Sequence, residues 1–133
     1  KIISLRELPP GENVSYGGRT RVGRHSLCAT LPVGYADGYT RRMSDSAYVL
    51  CGGQRCKVMA PITMDMTMAD VTEVAGVKVG DEVILLGAQS GPSGHSDRIT
   101  LSEMASWAGT IPWEVCTVVS KRVPRIYTGD GRT

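Results

Sequence analysis

Glycine interrupts this chain so often that no long regular element fits between the breaks. The 133 residues include 16 glycines and 7 prolines. The apolar runs between them span only roughly four to eight residues, a length typical of β-strands rather than helices. With 41% hydrophobic and 21% charged residues, the composition is that of a globular chain and not of a disordered one. We therefore expect one domain that is mainly β.

The clearest local signal is the pair Gly52-Gly53 between two apolar runs. Glycine supplies the positive φ that tight hairpin turns need, so this pair predicts a β-hairpin. A Gly- and Ser-rich stretch at 87–97 is expected to be a loop. The predicted strands, including the two of the hairpin, are 27–33, 48–51, 54–59, 64–71, 82–86 and 114–119.

Methionines alternate with polar residues through the segment 64–71. In a strand, alternate side chains point to the same face, which places Met64, Met66 and Met68 together. A methionine stripe of this period belongs more often to a core than to a cofactor site. We therefore expect these three side chains to face the interior.

One short helix is predicted near residues 101–108. Thr100 and Glu103 fit the capping box, in which each side chain bonds the backbone N–H of the other residue. Gly109 suits the left-handed residue that ends many helices. About six or more strands with one short helix predict a small closed, Greek-key-like barrel, because closure removes exposed strand edges.

Charge and cysteine content exclude several classes of function. The net charge of +2 is far from the basic excess of a nucleic-acid-binding protein, so no nucleic acid partner is expected. The two histidines and four cysteines lack zinc-site spacing, and no metal site is predicted. We expect reduced, mostly buried thiols and a cytoplasmic location. The chain has no membrane-spanning apolar run and begins without methionine, and we expect it to be part of a longer protein.

Three segments carry residues that a plain β domain does not require: VSYGGRT at 14–20, PVGYADGY at 32–39 and ITMDMTMADV at 62–71. Tyr16 stands directly before a Gly-Gly pair, and Tyr35 lies in a glycine-rich exit from a predicted strand. Taken singly, each tyrosine fits an ordinary turn as well as it fits a ligand site.

Together these segments closely resemble the C-terminal domain of alanine racemase. The resemblance runs from about Ser15 to Tyr127 and rests on VSYG, ATLPVGYADGY, MDMTMADVT, ITLSEMA and SKRVPRIY. It implies that residues 14–133 form the C-terminal β domain of an amino-acid racemase. It also implies that residues 1–13 are a linker or the last piece of a preceding (β/α)8 barrel domain.

The resemblance further implies the activity, cofactor and partners of the parent enzyme. Such enzymes interconvert L- and D-alanine with pyridoxal 5'-phosphate. In this protein the cofactor would be held by a lysine of the missing N-terminal domain, because none of Lys1, Lys57, Lys78 and Lys121 lies in a cofactor-lysine motif. The expected partners are the barrel domains of the same and of a second subunit in a homodimer, and the substrate is an amino acid.

Site residues follow from the resemblance, position by position. Tyr16 would be the catalytic acid/base that serves the partner subunit's active site. Tyr35 would narrow the substrate route, and Arg41 would lie along it. The backbone amide of Met64 would contact the substrate carboxylate, while Asp65 would orient that turn.

Two departures from the family pattern concern the substrate route. Pro61 replaces an arginine, and Trp113, preceded by Pro112, replaces a tyrosine that reaches the cofactor phosphate. The indole has only an N–H donor and cannot place a hydroxyl there, which puts a cofactor-binding role of Trp113 in doubt. A serine or broad-specificity amino-acid racemase is therefore an open alternative.

Two further alternatives change the class of function. In one, the chain is a non-catalytic β-barrel interaction module, and Tyr16, Tyr35 and Met64 line a protein contact. In the other, the parent is a decarboxylase of the same fold type. The tyrosine of the VSYG segment argues against the decarboxylase.

Overall fold

The computed structural model describes residues 1–14, 18 and 20–129. Within these ranges the chain is mainly β, as predicted, and two single-turn 3-10 helices lie at Tyr35–Asp37 and Arg41–Met43. The strands and helices are β1 (Ser4–Leu8), β2 (Ser26–Leu31), β3 (Tyr48–Cys51), β4 (Gln54–Lys57), β5 (Thr67–Asp70), β6 (Val83–Ile84), β7 (Gly87–Ser90), β8 (Ser96–Ile99), α1 (Leu101–Ala108) and α2 (Pro112–Thr117).

The described strands form three small antiparallel sheets, ordered β1-β2-β5, β4-β3-β6 and β7-β8. A single bridge between Val58 and Ala69 connects the first sheet to the second. The closed Greek-key-like barrel that we predicted is not found in this part of the chain. A closed barrel needs one continuous hydrogen-bonded ring of strands, and here the described strands are divided among three separate sheets.

Several local predictions are confirmed. The Gly52-Gly53 turn joins β3 and β4 in a hairpin, with Cys51 paired to Gln54. At α1, the Thr100 hydroxyl accepts from the Glu103 N–H at 3.2 Å. The Glu103 carboxylate accepts from the Thr100 N–H at 2.9 Å, which completes the capping box.

Helix α1 buries one side, as its sequence pattern predicts. Met104, Ala105 and Ala108 are buried, and Leu101 packs against the same core as a partly buried residue. Gly109 ends the helix in the left-handed region at φ 66°. The core continues from α1 to β2 and β3, whose inner side chains include Leu31 and Val49.

The prediction of a strand at 114–119 is wrong, and with it the prediction of a single helix. These residues lie mostly in α2, which starts after Ile111 with Pro112 in its first turn. Proline is well tolerated there because its fixed φ suits the helix and its missing N–H would lack a partner anyway. The apolar run packs Val115 against α1 and the core.

The prediction that the methionines face the core is wrong for Met64 and Met66, whereas Met68 is partly buried against a second core cluster. Thr67 and Ala69 of β5 are fully buried, whereas Met64 and Met66 are 53% and 43% exposed. The segment 64–66 forms a turn instead of a strand, since the Met66 N–H donates to the Thr63 hydroxyl at 3.1 Å. The strand therefore starts later, and its odd-numbered positions point inward.

The remaining differences concern strand lengths. The predicted loop at 87–97 is largely the β7-β8 hairpin, with Ser90 paired to Ser96. Its polar side chains lack the apolar alternation that marks a half-buried strand. The strand predicted at 82–86 is reduced to the two residues of β6.

Strand β1 lies inside the segment 1–13 and pairs along its whole length with β2, from Ser4 with Thr30 to Leu8 with Ser26. That segment is therefore part of a sheet in this structure, and the point at which a preceding domain of the parent ends stays a prediction. Among the described residues, neither helix has the length and apolar character needed to cross a membrane.

Candidate functional site

The 3-10 turn that carries Tyr35 lies directly against the turn that carries Met64. The Tyr35 N–H donates to the Thr63 carbonyl at 3.0 Å, and the Ala36 N–H donates to the Met64 carbonyl at 3.0 Å. Gly34 permits this approach, because a Cβ at that position would lie 2.2 Å from the Thr63 oxygen. Tyr35 and Met64, which the sequence analysis assigns to one site, are therefore brought together.

A third segment, the one after α2, joins these two turns through Arg122. Its Nε donates to Asp37 Oδ1 at 2.6 Å, and its Nη2 donates to Asp65 Oδ1 at 2.5 Å. The guanidinium holds the pKa of the Asp37 carboxyl below its usual range, chiefly through this hydrogen bond. In turn, the hydrogen bonds to Asp37 and Asp65 raise the pKa of Arg122, which stays charged.

The segment that carries Arg122 is itself fixed by backbone contacts. The Ser120 N–H donates to the Asp37 carbonyl at 3.0 Å. The Arg125 guanidinium donates to the carbonyls of Val119, Ser120 and Val123 at 2.9 to 3.0 Å. These bonds order the chain beyond α2, so that Arg122 approaches both acidic residues from a defined position.

The Tyr35–Met64 junction is open to solvent. Tyr35 is 46% exposed and Met64 is 53% exposed. Within the described residues, no group accepts a hydrogen bond from the Met64 N–H. Beside Tyr35, a cleft of about 320 Å³ runs between the 3-10 turns and the two helices, with Thr40, Arg42 and Glu114 in its wall. Tyr35 thus lines the cleft, whereas Met64 and Arg122 are not among the residues of its wall.

The catalytic residue that we predicted, Tyr16, lies outside the described residues, as does Arg19. The described residues on either side of this segment contact each other, since the Val14 N–H donates to the Thr20 carbonyl at 3.0 Å. The role of Tyr16 therefore stays a prediction.

Arg41 and Trp113 lie outside the Arg122 cluster. Arg41 begins the second 3-10 turn with an exposed side chain. Trp113 lies in α2 and is 74% exposed. Within the part of the chain that the structure describes, no hydrogen bond or ion pair joins either side chain to Tyr35, Met64 or Arg122.

Neither Asp37 nor Arg122 is predicted as a site residue from the sequence. Both lie in motifs that carry the resemblance, GYADG and SKRVPRIY. Their opposite charges were the only available signal, and they are separated by 85 positions. Pairing over such a distance is a property of the fold and not of local sequence.

The described residues offer no place to hold pyridoxal phosphate covalently. Lys1, Lys57, Lys78 and Lys121 are all exposed, and none is desolvated in the way that favours a Schiff-base lysine. Among the described residues, no group of three or more His, Cys, Asp or Glu side chains is arranged for a metal ion. The four cysteines are free thiols, of which Cys116 alone is exposed.

Comparison with known proteins agrees with this geometry. The family described as "Alanine racemase, C-terminal domain" matches residues 1–127. An alanine racemase of Sorangium cellulosum is 45% identical over 127 residues, which are 96% of this chain and 33% of that protein. One from Clostridium novyi is 44% identical over 131 residues, covering 98% of this chain and 33% of the relative.

Solved structures give the same result. Alanine racemase from Bacillus anthracis with bound L-Ala-P superposes with a TM-score of 0.85 at 32% identity, covering 98% of this chain and 32% of that one. The enzyme from Bartonella henselae with covalently bound pyridoxal phosphate gives 0.84 at 30% identity, covering 96% and 33%. The present chain thus spans about a third of the length of these relatives. By its sequence and its fold, the chain belongs to the alanine racemase C-terminal domain family.

Proposed function

We propose that this chain is the part of a pyridoxal-phosphate-dependent alanine racemase that supplies a tyrosine acid/base and a portion of the substrate pocket to a partner subunit. The observation that carries the proposal is the docking of the Tyr35 turn on the Met64 turn. It holds the turn of the half-exposed Tyr35 against the turn of Met64, whose N–H has no acceptor among the described residues. Membership of the family supplies the reaction.

Racemisation removes a proton from Cα on one face and returns a proton on the other, which calls for two acid/base groups. Pyridoxal phosphate, when bound, serves as the electron sink for the carbanion. In this proposal Tyr16 exchanges one of the two protons at its phenol oxygen. A free phenol has a pKa near 10, and neighbouring cations favour its ionised form, which makes it an effective base nearer neutral pH.

Substrate binding in this proposal depends on the two docked turns. The Met64 N–H donates to the substrate carboxylate, an interaction that does not depend on the side chain at this position. Tyr35 narrows the route to the site, and Arg41 supplies a positive charge along it. Asp65, held by Arg122 at 2.5 Å, orients the Met64 turn.

The cofactor lysine comes from outside this chain, because the chain's own lysines are exposed. We propose that it lies in the (β/α)8 domain of the parent, which forms a homodimer in which each C-terminal domain contacts both subunits. The parent's location is proposed to be the cytoplasm, in keeping with four free thiols.

A broader amino-acid specificity is the second candidate. Pro61 removes a cation from the substrate route, and the exposed indole of Trp113 stands where a phenol is expected. Both changes concern the pocket wall and leave Tyr16 untouched. Steady-state kinetics of the full-length parent with the enantiomers of alanine and serine distinguishes the two candidates, since a strict preference for alanine contradicts the broader one.

The main test is Tyr16→Phe in the full-length enzyme. General acid–base groups contribute about 10²- to 10⁴-fold, so the variant should lose at least about 100-fold in kcat in both directions. The acid/base group on the opposite face of Cα is intact in this variant. Exchange of the Cα proton with solvent deuterium should therefore survive for one enantiomer only. Unchanged rates in both directions would refute the assignment. A parent without any racemase activity would favour the non-catalytic interaction module.

A further inference from the structure

Arg122 lies where three segments that are distant in sequence meet. Its two carboxylate partners, Asp37 and Asp65, are 85 and 57 positions away. The planar guanidinium presents its N–H donors in a fixed fork, so two donors can serve two carboxylates at a set separation. A lysine ammonium is a point charge and does not impose that geometry.

Each carboxylate is in turn coupled to a residue of the proposed substrate pocket. Asp37 Oδ2 accepts from the Gly34 N–H at 2.9 Å, which closes the turn around Tyr35. Asp65 directly follows Met64, whose N–H is the proposed donor to substrate. A movement of Arg122 would therefore change the spacing between Tyr35 and the Met64 N–H.

The two arms of this bridge differ in exposure. The side chain of Asp37 is 13% exposed, whereas that of Asp65 is 51% exposed. Exposed ion pairs are weak and screened by salt, so the Asp65 arm is the one that ionic strength should loosen first. The two backbone hydrogen bonds between the turns then remain. Alone, they restrain the position of one turn against the other less tightly than they do together with both ion pairs.

We propose that Arg122 is a positioning residue: by bridging Asp37 and Asp65 it fixes the distance between the Tyr35 turn and the Met64 N–H, and so sets the affinity for substrate. This inference rests on the function proposed above. Arg122 itself touches neither substrate nor cofactor in this scheme. Its effect should appear in KM, because the proton transfer assigned to Tyr16 does not depend on it.

The test is Arg122→Gln in the full-length enzyme, measured in both directions with alanine. We expect KM to rise about fivefold, with kcat changed less than about twofold, since the ion pairs to the exposed Asp65 and to the mostly buried Asp37 are both lost. Arg122→Lys should recover part of the affinity, because it keeps the charge without the fork. Raising the salt concentration should raise KM of the wild type towards that of the variant.

Arg24→Gln is the matched control. Arg24 also bridges two carboxylates, those of Glu73 at 2.7 Å and Asp70 at 3.4 Å. Its side chain is 56% exposed, close to the 50% of Arg122, and it contacts neither turn of the proposed pocket. This variant should leave KM and kcat unchanged.

A second measurement does not depend on turnover. Hydrogen exchange of the full-length protein should show faster exchange of the Tyr35 and Ala36 amides in Arg122→Gln, because these amides bond to the opposite turn. If Arg122→Gln does not fold, Asp65→Asn, which removes only the exposed arm, takes its place, and KM and amide exchange should change in the same direction but less.

The outcomes separate this inference from the proposed function. A wild-type parent that racemises no amino acid overturns the function, and with it the proposal for Arg122. An active parent in which Arg122→Gln keeps the KM and the amide exchange of the Arg24→Gln control overturns the positioning role alone. A large loss of kcat with unchanged KM also contradicts it.

Discussion

Gly34 is the position at which one methyl group should separate the two halves of the proposed pocket. Its backbone is extended, with φ −153° and ψ −163°, a conformation that alanine adopts without strain. The effect of Gly34→Ala is therefore steric. The added Cβ would lie 2.2 Å from the Thr63 oxygen and 2.5 Å from the Met64 oxygen, whereas ordinary contacts begin at 3.4 Å.

The size of the effect follows from these distances. Relieving the overlap requires the two turns to move apart by about 1 Å, and overpacking of this kind costs about 1–3 kcal/mol. The hydrogen bonds from Tyr35 and Ala36, now 3.0 Å long, would stretch beyond useful length. Each contributes about 1 kcal/mol net, so we expect the free energy of unfolding to fall by about 3–5 kcal/mol in total.

Urea unfolding of the purified chain measures this change, and Gly23→Ala is the matched control. A Cβ at Gly23 would meet no atom within 4 Å, so that variant should be neutral or slightly stabilising. Amide exchange at Tyr35 and Ala36 should also accelerate in Gly34→Ala. If the two variants unfold at the same urea concentration with equal slopes, the close approach of the turns is refuted.

Two further predictions concern the interior. The buried Thr67 hydroxyl donates to the Val33 carbonyl at 2.7 Å, so Thr67→Val should lower the free energy of unfolding by about 1–2 kcal/mol. A urea titration in which this variant matches the wild type would contradict that role. Burial raises the pKa of Cys28 to about 11 and of Cys56 to about 12, from an ordinary 9.0. Since the folded chain binds these protons more tightly than the unfolded chain, stability should be unaffected below pH 9 and decline as pH rises from 9 towards 12. Urea titrations between pH 7 and pH 11 measure this decline in the free energy of unfolding, which should be shallower in Cys28→Ala. An equally steep decline in that variant would contradict the contribution of Cys28.

Local signals predicted the elements that local interactions stabilise. Helix α1 was predicted because its cap, Thr100 with Glu103, is formed by residues three positions apart. The Gly52-Gly53 hairpin has the same character. The sequence does not distinguish α2 from a strand by periodicity, because a short apolar run fits both, and Pro112 at the first helical turn is its only local helix signal.

Tertiary packing determines which strand face is buried and how the strands are ordered, and local sequence patterns do not. The alternation of 64–71 indicated a strand, but the pattern does not say which of its two faces is buried. The Thr63–Met66 turn shifts the start of the strand and exposes Met64 and Met66. The fully buried side chains of β5 are Thr67 and Ala69, on the face opposite to the predicted one, and Met68 is only partly buried. The predicted barrel failed for a similar reason, since strand length and order depend on packing that one sequence does not display.

The candidate site was predictable in its motifs and not in its contacts. Tyr35, Met64 and Asp65 were identified from the family resemblance, and the structure brings their turns together. The bridge through Arg122 could not be derived, because it joins two acidic residues that lie 85 and 57 positions away.

The most direct test of the central claim asks whether Tyr16 serves the cofactor of the other subunit. Two inactive full-length variants are co-expressed, one with Tyr16→Phe and one with the cofactor lysine of the N-terminal domain replaced by alanine. In a two-fold dimer, the mixed species contains one site with both residues intact, so random pairing should restore about a quarter of the wild-type activity. A mixture as inactive as either variant alone would contradict the claim.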